Sequence, residues 1–432
     1  MQNQIRVHNY AKATAPRLPE WGKNAVIYAV NLRQFTAEGT IQAFKRHLPR
    51  LQSLGVTVLW FLPIHPIGRK NRKGRLGSYY SIQDYYDINP EFGTRDDFQD
   101  LVRSIHNMGL YVIIDLVINH TAWDNPLIEE HPEWYTHDEK GQIVAPFSGW
   151  QDVADLDYSN RTLRHYMTEM MCHWVGDVGV DGFRCDVAEL VPNDFWRDAT
   201  GELQKLKSVL LLAEGQHPSL HAHGFHISYA FNMYWLMNDI VHSKRRLFEI
   251  DRKKYAKGAR RLRYTSNHDE NSWHGSAVER LGHAAKAMAV LTFTLPGTPL
   301  IYNGQEVGNT KRLDFFEKDE IKWQKSSFEA FYTILCRLYK DRPALYSGEM
   351  QRIKSGNPES IYAFKRQKKN DHIIVILNLS GKAVETTLRM NVDTEYEDIF
   401  TGKSLKRSSA NPKLALGSWG YRIYVPLNGT RI

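Results

Sequence analysis

The chain predicts an α/β fold: a (β/α)8 barrel of the TIM type, with a subdomain inserted after strand 3 and an antiparallel β-sandwich domain at the C-terminal end. Three observations carry this expectation. Short runs rich in Val, Ile, Leu and aromatic residues recur between residues 25 and 302, most of them separated by helix-length patterned segments. Asp186, Glu214 and Asp269 each stand just past such a run, and a parallel β-barrel gathers its strand ends at one face. Beyond about residue 344 the pattern changes to short alternating runs bounded by Gly, Asn, Asp and Pro.

The strand-like runs fall at 25–30, 56–61, 111–116, 180–185, 209–213, 226–230, 262–266 and 298–302. Helical patterning covers 41–54, 95–108, 162–177 and 277–294. The sixth run, ISYAF, is the least strand-like and lies close behind the fifth. Residues 116–158 hold Pro, Gly, Trp and His with little periodicity, which reads as an inserted subdomain on the catalytic face, since long loops are usually functional. The barrel therefore takes 1–115 and 159–343. The tail, 344–432, carries SIYAFKR, HIIVILNLS and YRIYVPL and reads as all-β.

A chain of 432 residues exceeds the size at which one core stops growing, which agrees with a barrel plus a further domain. Lys and Arg number 56 against 48 Asp and Glu, a net charge of +8 spread too thinly to imply a nucleic-acid partner. The densest basic stretches, 69–75 (RKNRKGR) and 251–263, are expected on solvated loops and helix faces. Three widely spaced cysteines without a CxxC pair give neither a disulfide framework nor a thiolate zinc site. The longest apolar region, 287–302, contains Pro296 and Pro299 and falls short of the roughly 20 residues that cross a bilayer. No apolar leader precedes Asn24, so the expectation is a cytoplasmic protein without a membrane span.

The polar residues at the strand ends carry the chemistry. Arg184 and Asp186 are two apart, so in an extended strand both side chains point the same way, and the guanidinium holds the carboxylate ionised and aimed; a structural salt bridge is the bland alternative. Glu214 closes the apolar run 209–213, a setting that raises a carboxyl pKa toward what a general acid needs. Asn267, His268 and Asp269 sit together where the seventh strand should end, either gripping vicinal hydroxyls or capping the next helix. His120 ends DLVINH, and Tyr80 in SYYS offers an aromatic face to the CH side of a sugar. Two carboxyl groups about 5 to 5.5 Å apart are what cleavage at an anomeric carbon requires when one of them forms a covalent intermediate.

Taken together these segments resemble the α-amylase family of glycoside hydrolases. DLVINH resembles its first signature, GFRCD its second, the Glu of LLAEG its third, TSNHD its fourth, and DLDYSN at 155–160 a fifth in the insertion. The resemblance implies a retaining glycosidase acting on α-glucans or maltooligosaccharides. Asp186 is then nucleophile, Glu214 acid/base and Asp269 transition-state stabiliser, while Tyr80, His120, Arg184 and His268 bind or orient around the sugar. It implies an oligo- or polysaccharide substrate and no cofactor for the chemistry. Positions matching the family's calcium ligands are Asn119 and Asp157, fewer than the about six to eight oxygens calcium takes.

One departure bears on specificity. Many starch-cleaving members carry Lys-His three and four residues after the nucleophile, and this chain has Glu189 and Leu190. That weighs against endo-acting starch cleavage and leaves short maltooligosaccharides, α-1,6 branches or an unusual acceptor open; the competing readings are transglycosylation and a non-catalytic carbohydrate-binding homologue. The intact set Arg184, Asp186, Glu214, His268 and Asp269 speaks against the last. His221 and His223 alternate as a metal clamp would, yet no HExxH or Cys partner accompanies them, and a polar loop on the leaving-group side is the expectation. Cys185 is expected as buried apolar filler opposite Arg184 and Asp186.

Overall fold

A computed structural model describes residues 15–252, 258–392, 394–406 and 410–427. Part of the basic stretch 251–263 thus lies outside the described residues. Strands β1 (Ile27–Val30), β2 (Val58–Phe61) and β3 (Tyr111–Leu116) are followed by a short antiparallel pair, β4 (His120–Ala122) and β5 (Val153–Asp155). Then come β6 (Gly182–Cys185), β7 (Leu210–Ala213), β8 (Ile227–Tyr229), β9 (Arg260–Arg263) and β10 (Thr298–Tyr302). Hydrogen bonding closes β1-β10-β9-β8-β7-β6-β3-β2 into an all-parallel barrel of eight strands. The insertion between β3 and β6 leaves by β4 and returns by β5, with His120 opposite Asp155.

The apolar runs fold this way because both faces of each barrel strand are covered. Ile27, Ala29, Val58, Trp60, Ile113, Leu210, Leu212 and Leu300 fill the barrel interior. Their neighbours Tyr28, Leu59, Phe61, Val112, Phe183, Leu211 and Ile301 face the helical shell. Cys185 belongs to that outer layer and is fully buried, as its alternation predicted. At Gly182, φ is +149° and a Cβ would stand 1.9 Å from the Leu210 carbonyl oxygen, so only glycine lets β6 approach β7.

Two departures from the sequence reading have physical causes. The segment 41–54 is not one helix but two, Ile41–Lys45 and Leu48–Leu54, because Pro49 lacks the N–H needed to continue the first. The seventh strand runs Arg260–Arg263, two residues earlier than its apolar pattern suggests. Its basic residues are used inside: Arg261 bonds Ser228 Oγ (2.6 Å) and the Gln216 carbonyl (3.0 Å), and Arg263 bonds the Pro296 carbonyl at 3.0 Å.

The C-terminal strands β11 (Glu349–Ser355), β12 (Ile361–Lys368), β13 (Asp371–Asn378), β14 (Val384–Arg389), β15 (Tyr396–Asp398), β16 (Ser404–Leu405), β17 (Lys413–Leu416) and β18 (Tyr421–Pro426) make one antiparallel sheet. Its order is β16-β15-β18-β13-β12-β11-β14-β17. Alternation along β12 divides its work. Ile361 and Ala363 enter a small core of the tail's own, while Tyr362 and Phe364 join the core of the barrel's helical shell. Arg366, buried, fastens the junction by donating to the carbonyls of Thr294 (2.6 Å), Leu345 (2.7 Å) and Gly348 (2.9 Å).

Candidate active site

The strand ends gather their polar residues around one buried cation. Arg184 on β6 is fully buried; its Nη1 lies 2.8 Å from Asp115 and 2.6 Å from Asp186, and its Nη2 lies 3.0 Å from Glu214. The rings of Trp60, Tyr80 and Tyr229 stand 5.3, 5.7 and 5.6 Å from the guanidinium carbon, replacing part of its lost hydration. Asp115, on β3, also accepts from Trp60 Nε1 at 3.1 Å and from the Tyr80 hydroxyl at 3.2 Å. One guanidinium therefore positions three carboxyls that arise on three strands.

Main-chain bonds lock the two carboxyls nearest the cleft to each other. The Val187 amide donates to Glu214 Oε2 at 2.8 Å, the Glu214 amide donates to the Cys185 carbonyl at 2.9 Å, and Ala188 donates to the Glu214 carbonyl at 3.0 Å. To present that amide, Val187 takes the left-handed conformation, φ +36°. An apolar setting for Glu214 is not what forms: Oε2 accepts the Val187 amide, Oε1 lies beside the Arg184 cation, and the apolar side chains of 210–213 point elsewhere, into the barrel or the shell.

His268 and Asp269 lie beyond β9 at the start of a π-helical turn. His268 Nε2 is 2.6 Å from the Tyr80 hydroxyl and 3.3 Å from Asp269 Oδ2, while its Nδ1 is buried with no hydrogen-bond partner. Burial first, and then Arg184, hold this imidazole well below its usual pKa, and burial takes His120 down to about 4, so both are neutral rings. Asp269 is pushed up to about 7, by desolvation in the cleft and then by the charge of Glu214. Burial also raises Asp186, against the pull of Arg184 and with the push of Glu214 and Asp115. Crowding of like charges thus adds to burial in raising both Asp186 and Asp269.

A cleft of about 490 Å³ opens above them. Asp186, Glu214, Asp269, Tyr80 and His120 all line it; Arg184 and His268 lie beneath its floor, almost wholly buried. Sequence reasoning missed Asp115 as a partner of Arg184, although DLVINH put it on the strand. It also missed the cleft walls. One is Trp273, Phe315 and Phe316, and the other is Gly149, Trp150, Asp152 and Val153 of the insertion. Glu189, the departure noted three residues after Asp186, accepts from the amides of Gln216 (2.6 Å) and His217 (2.8 Å) and so holds the loop that follows Glu214.

Other expectations are corrected. His221 is buried between the Phe225 carbonyl (3.0 Å) and Ser228 Oγ (2.8 Å), and His223 bonds the Ser219 carbonyl at 2.7 Å; neither lines the cleft. At the positions matching calcium ligands, Asp157 accepts from the Ser159 amide (2.9 Å) and hydroxyl (2.8 Å), Asn119 Nδ2 lies 3.3 Å from His120 Nδ1, and among the described residues no cluster of three or more His, Cys, Asp or Glu could hold a metal. Among those residues, too, no helix is long and apolar enough to cross a membrane.

A closed parallel barrel with a carboxyl cluster at the carboxyl ends of its strands defines an enzyme whose chemistry runs on paired acids. Residues 22–399 match the model of the α-amylase catalytic domain, and the chain belongs to that family of glycoside hydrolases acting on α-glucans. It is 32% identical to a noncanonic maltogenic α-amylase, AmyB, from Thermotoga neapolitana, covering 94% of this chain and 99% of that one with a TM-score of 0.87. It is 29% identical to an α-amylase of Lactobacillus plantarum, covering 94% and 100%, with a TM-score of 0.84. It is 28% identical to α-amylase MalA of Haloarcula japonica over 89% of this chain, and it spans 59% of that protein's length.

Proposed function

We propose that the chain hydrolyses α-glucosidic bonds of maltooligosaccharides by a double displacement with net retention. Asp186 attacks the anomeric carbon while Glu214 gives its proton to the departing glycosidic oxygen, leaving a glycosyl ester on Asp186. Glu214, now a carboxylate, takes a proton from water, whose oxygen displaces Asp186 from the same sugar. Asp269 and the neutral His268 grip ring hydroxyls as the sugar flattens, and Tyr80 packs on its CH face.

The observation that carries this reading is the single guanidinium holding Asp186 at 2.6 Å and Glu214 at 3.0 Å. A cation shared by the two acids supports the reading that they serve one anomeric carbon. Proton NMR of the first product from maltoheptaose tests it: an α-configured sugar is expected, and a β-configured one would exclude the covalent route.

A further inference from the structure

The basic run 69–75, which the reaction does not use, is built as a strap across one end of the cleft. It is tied to both walls. At its start the Arg69 amide donates to Asp124 at 2.8 Å, and Lys73 reaches the Gly149 carbonyl and Asp152, both at 2.7 Å, on the insertion side. At its end the Arg75 amide and Nε bond Glu317 (2.5 and 3.1 Å), and the Leu76 amide donates to the Phe316 carbonyl at 3.2 Å, on the side of the loop after β10. Between these ties Arg72 cross-links the strap to itself through the carbonyls of Ile67 (2.9 Å), Gly68 (2.7 Å) and Arg75 (3.3 Å). The buried Arg33 anchors the exit through the carbonyls of Gly77 (3.0 Å) and Leu76 (3.3 Å). Gly74, φ +66°, lies so close to the wall that a Cβ would stand 2.6 Å from that of Phe316.

Barrel order places this closure. The strap spans from the loop after β10 to the insertion after β3, above the ends of β1 and β2, and in the closed ring these strands lie across from β7 and β8. Glu214 follows β7. An acid protonates the oxygen that leaves, so the leaving chain departs on the side of β7, and the sugars retained on the enzyme extend toward the strap. Phe315 stacks on Tyr80 with ring centres 6.2 Å apart and an interplanar angle of 15°, continuing the sugar platform in that direction.

We infer that the strap Arg69–Leu76 is a specificity element that ends the glycone side of the cleft, so that the enzyme works from the non-reducing ends of maltooligosaccharides. This inference rests on the proposed hydrolysis. A prebuilt barrier discriminates by clash, rejecting a chain that must pass beyond it. The test compares 4-nitrophenyl maltoheptaoside with the same compound blocked on its non-reducing glucose by a 4,6-O-ethylidene group, with products separated by chromatography. The full chain is expected to cut the blocked compound at least about tenfold more slowly. Replacing Lys70–Gly74 by two glycines, or Arg72→Ala to free the strap from its own carbonyls, is expected to narrow that ratio. Equal cleavage of the two compounds by the unaltered protein overturns the inference whatever the variants do, and leaves the hydrolase reading standing. Variants that cut the unblocked compound while the ratio stays unchanged also overturn it. Cleavage of neither compound by the unaltered protein overturns the hydrolase reading and this inference with it.

Discussion

Glu214→Gln separates proton donation from every other task of the cleft. In the native side chain Oε1 lies 3.0 Å from the Arg184 Nη2 cation as an ion pair and Oε2 accepts the Val187 amide at 2.8 Å, so both positions face N–H groups. Glutamine supplies one oxygen, and its NH2 must confront one of the two donors, costing about 1 to 3 kcal/mol at a largely buried site. For a natural glucan, which leaves as a poor alkoxide, losing a positioned proton donor slows cleavage by roughly 10²- to 10⁴-fold, or about 3 to 5 kcal/mol in the barrier. A dinitrophenyl aglycone needs no proton to leave, so formation of the glycosyl enzyme should slow by no more than about tenfold. Breakdown of that intermediate then becomes limiting, because water has lost its base. Stopped-flow spectroscopy of the variant should show a burst of dinitrophenolate approaching one equivalent per enzyme. Azide, which needs no base, should restore turnover and give a glycosyl azide of retained configuration. An equal loss with both leaving groups, or a variant indifferent to azide, would refute the assignment of Glu214.

Asp186→Asn should abolish hydrolysis of both substrates and give no glycosyl azide of retained configuration, since no glycosyl ester forms; measurable rates on a natural glucan would remove Asp186 from its role. Asp269 has a folded pKa of about 7, above its unfolded value of 3.8, so it favours the native state fully below pH 4 and loses that contribution as pH rises through 7. Asp269→Asn should accordingly melt above the unaltered protein at pH 8, with the gap closing toward pH 4, and calorimetry across that range decides it. His65 is buried and held at about 4 by desolvation, below its unfolded 6.5. It therefore withdraws stability as pH falls from 6.5 to 4, by up to roughly 3 kcal/mol. His65→Gln should flatten the acid limb of a urea-midpoint profile in that window, and an unchanged limb would contradict the argument.

Strands with both faces covered were legible because they read as unbroken apolar runs, and even the doubtful ISYAF proved to hold β8. The exception was β9, whose arginines look like surface residues until their carbonyl and hydroxyl partners inside the fold are known. Strand-end carboxylates were legible for the same reason, each marked by the run before it. Asp115 was harder: its meaning depends on Arg184, 69 residues away, and no local pattern links them. The two halves of 41–54 share one amphipathic pattern, so the break after Lys45, four residues before Pro49, had to be read from covalent chemistry rather than periodicity. The strap was least legible of all. A run such as RKNRKGR is usually solvated, and here its order comes from carbonyl oxygens and distant acids that composition does not announce.

Val187 shows what it costs to aim the centre. A residue branched at Cβ resists φ +36°, and holding it there takes on the order of 1 to 3 kcal/mol from the rest of the molecule. Relaxing that bend would swing its N–H off Glu214, so evolution or engineering toward a hardier protein has little freedom at this position. Gains in thermal endurance would have to come from regions remote from the centre, such as the seam where the tail sheet meets the barrel.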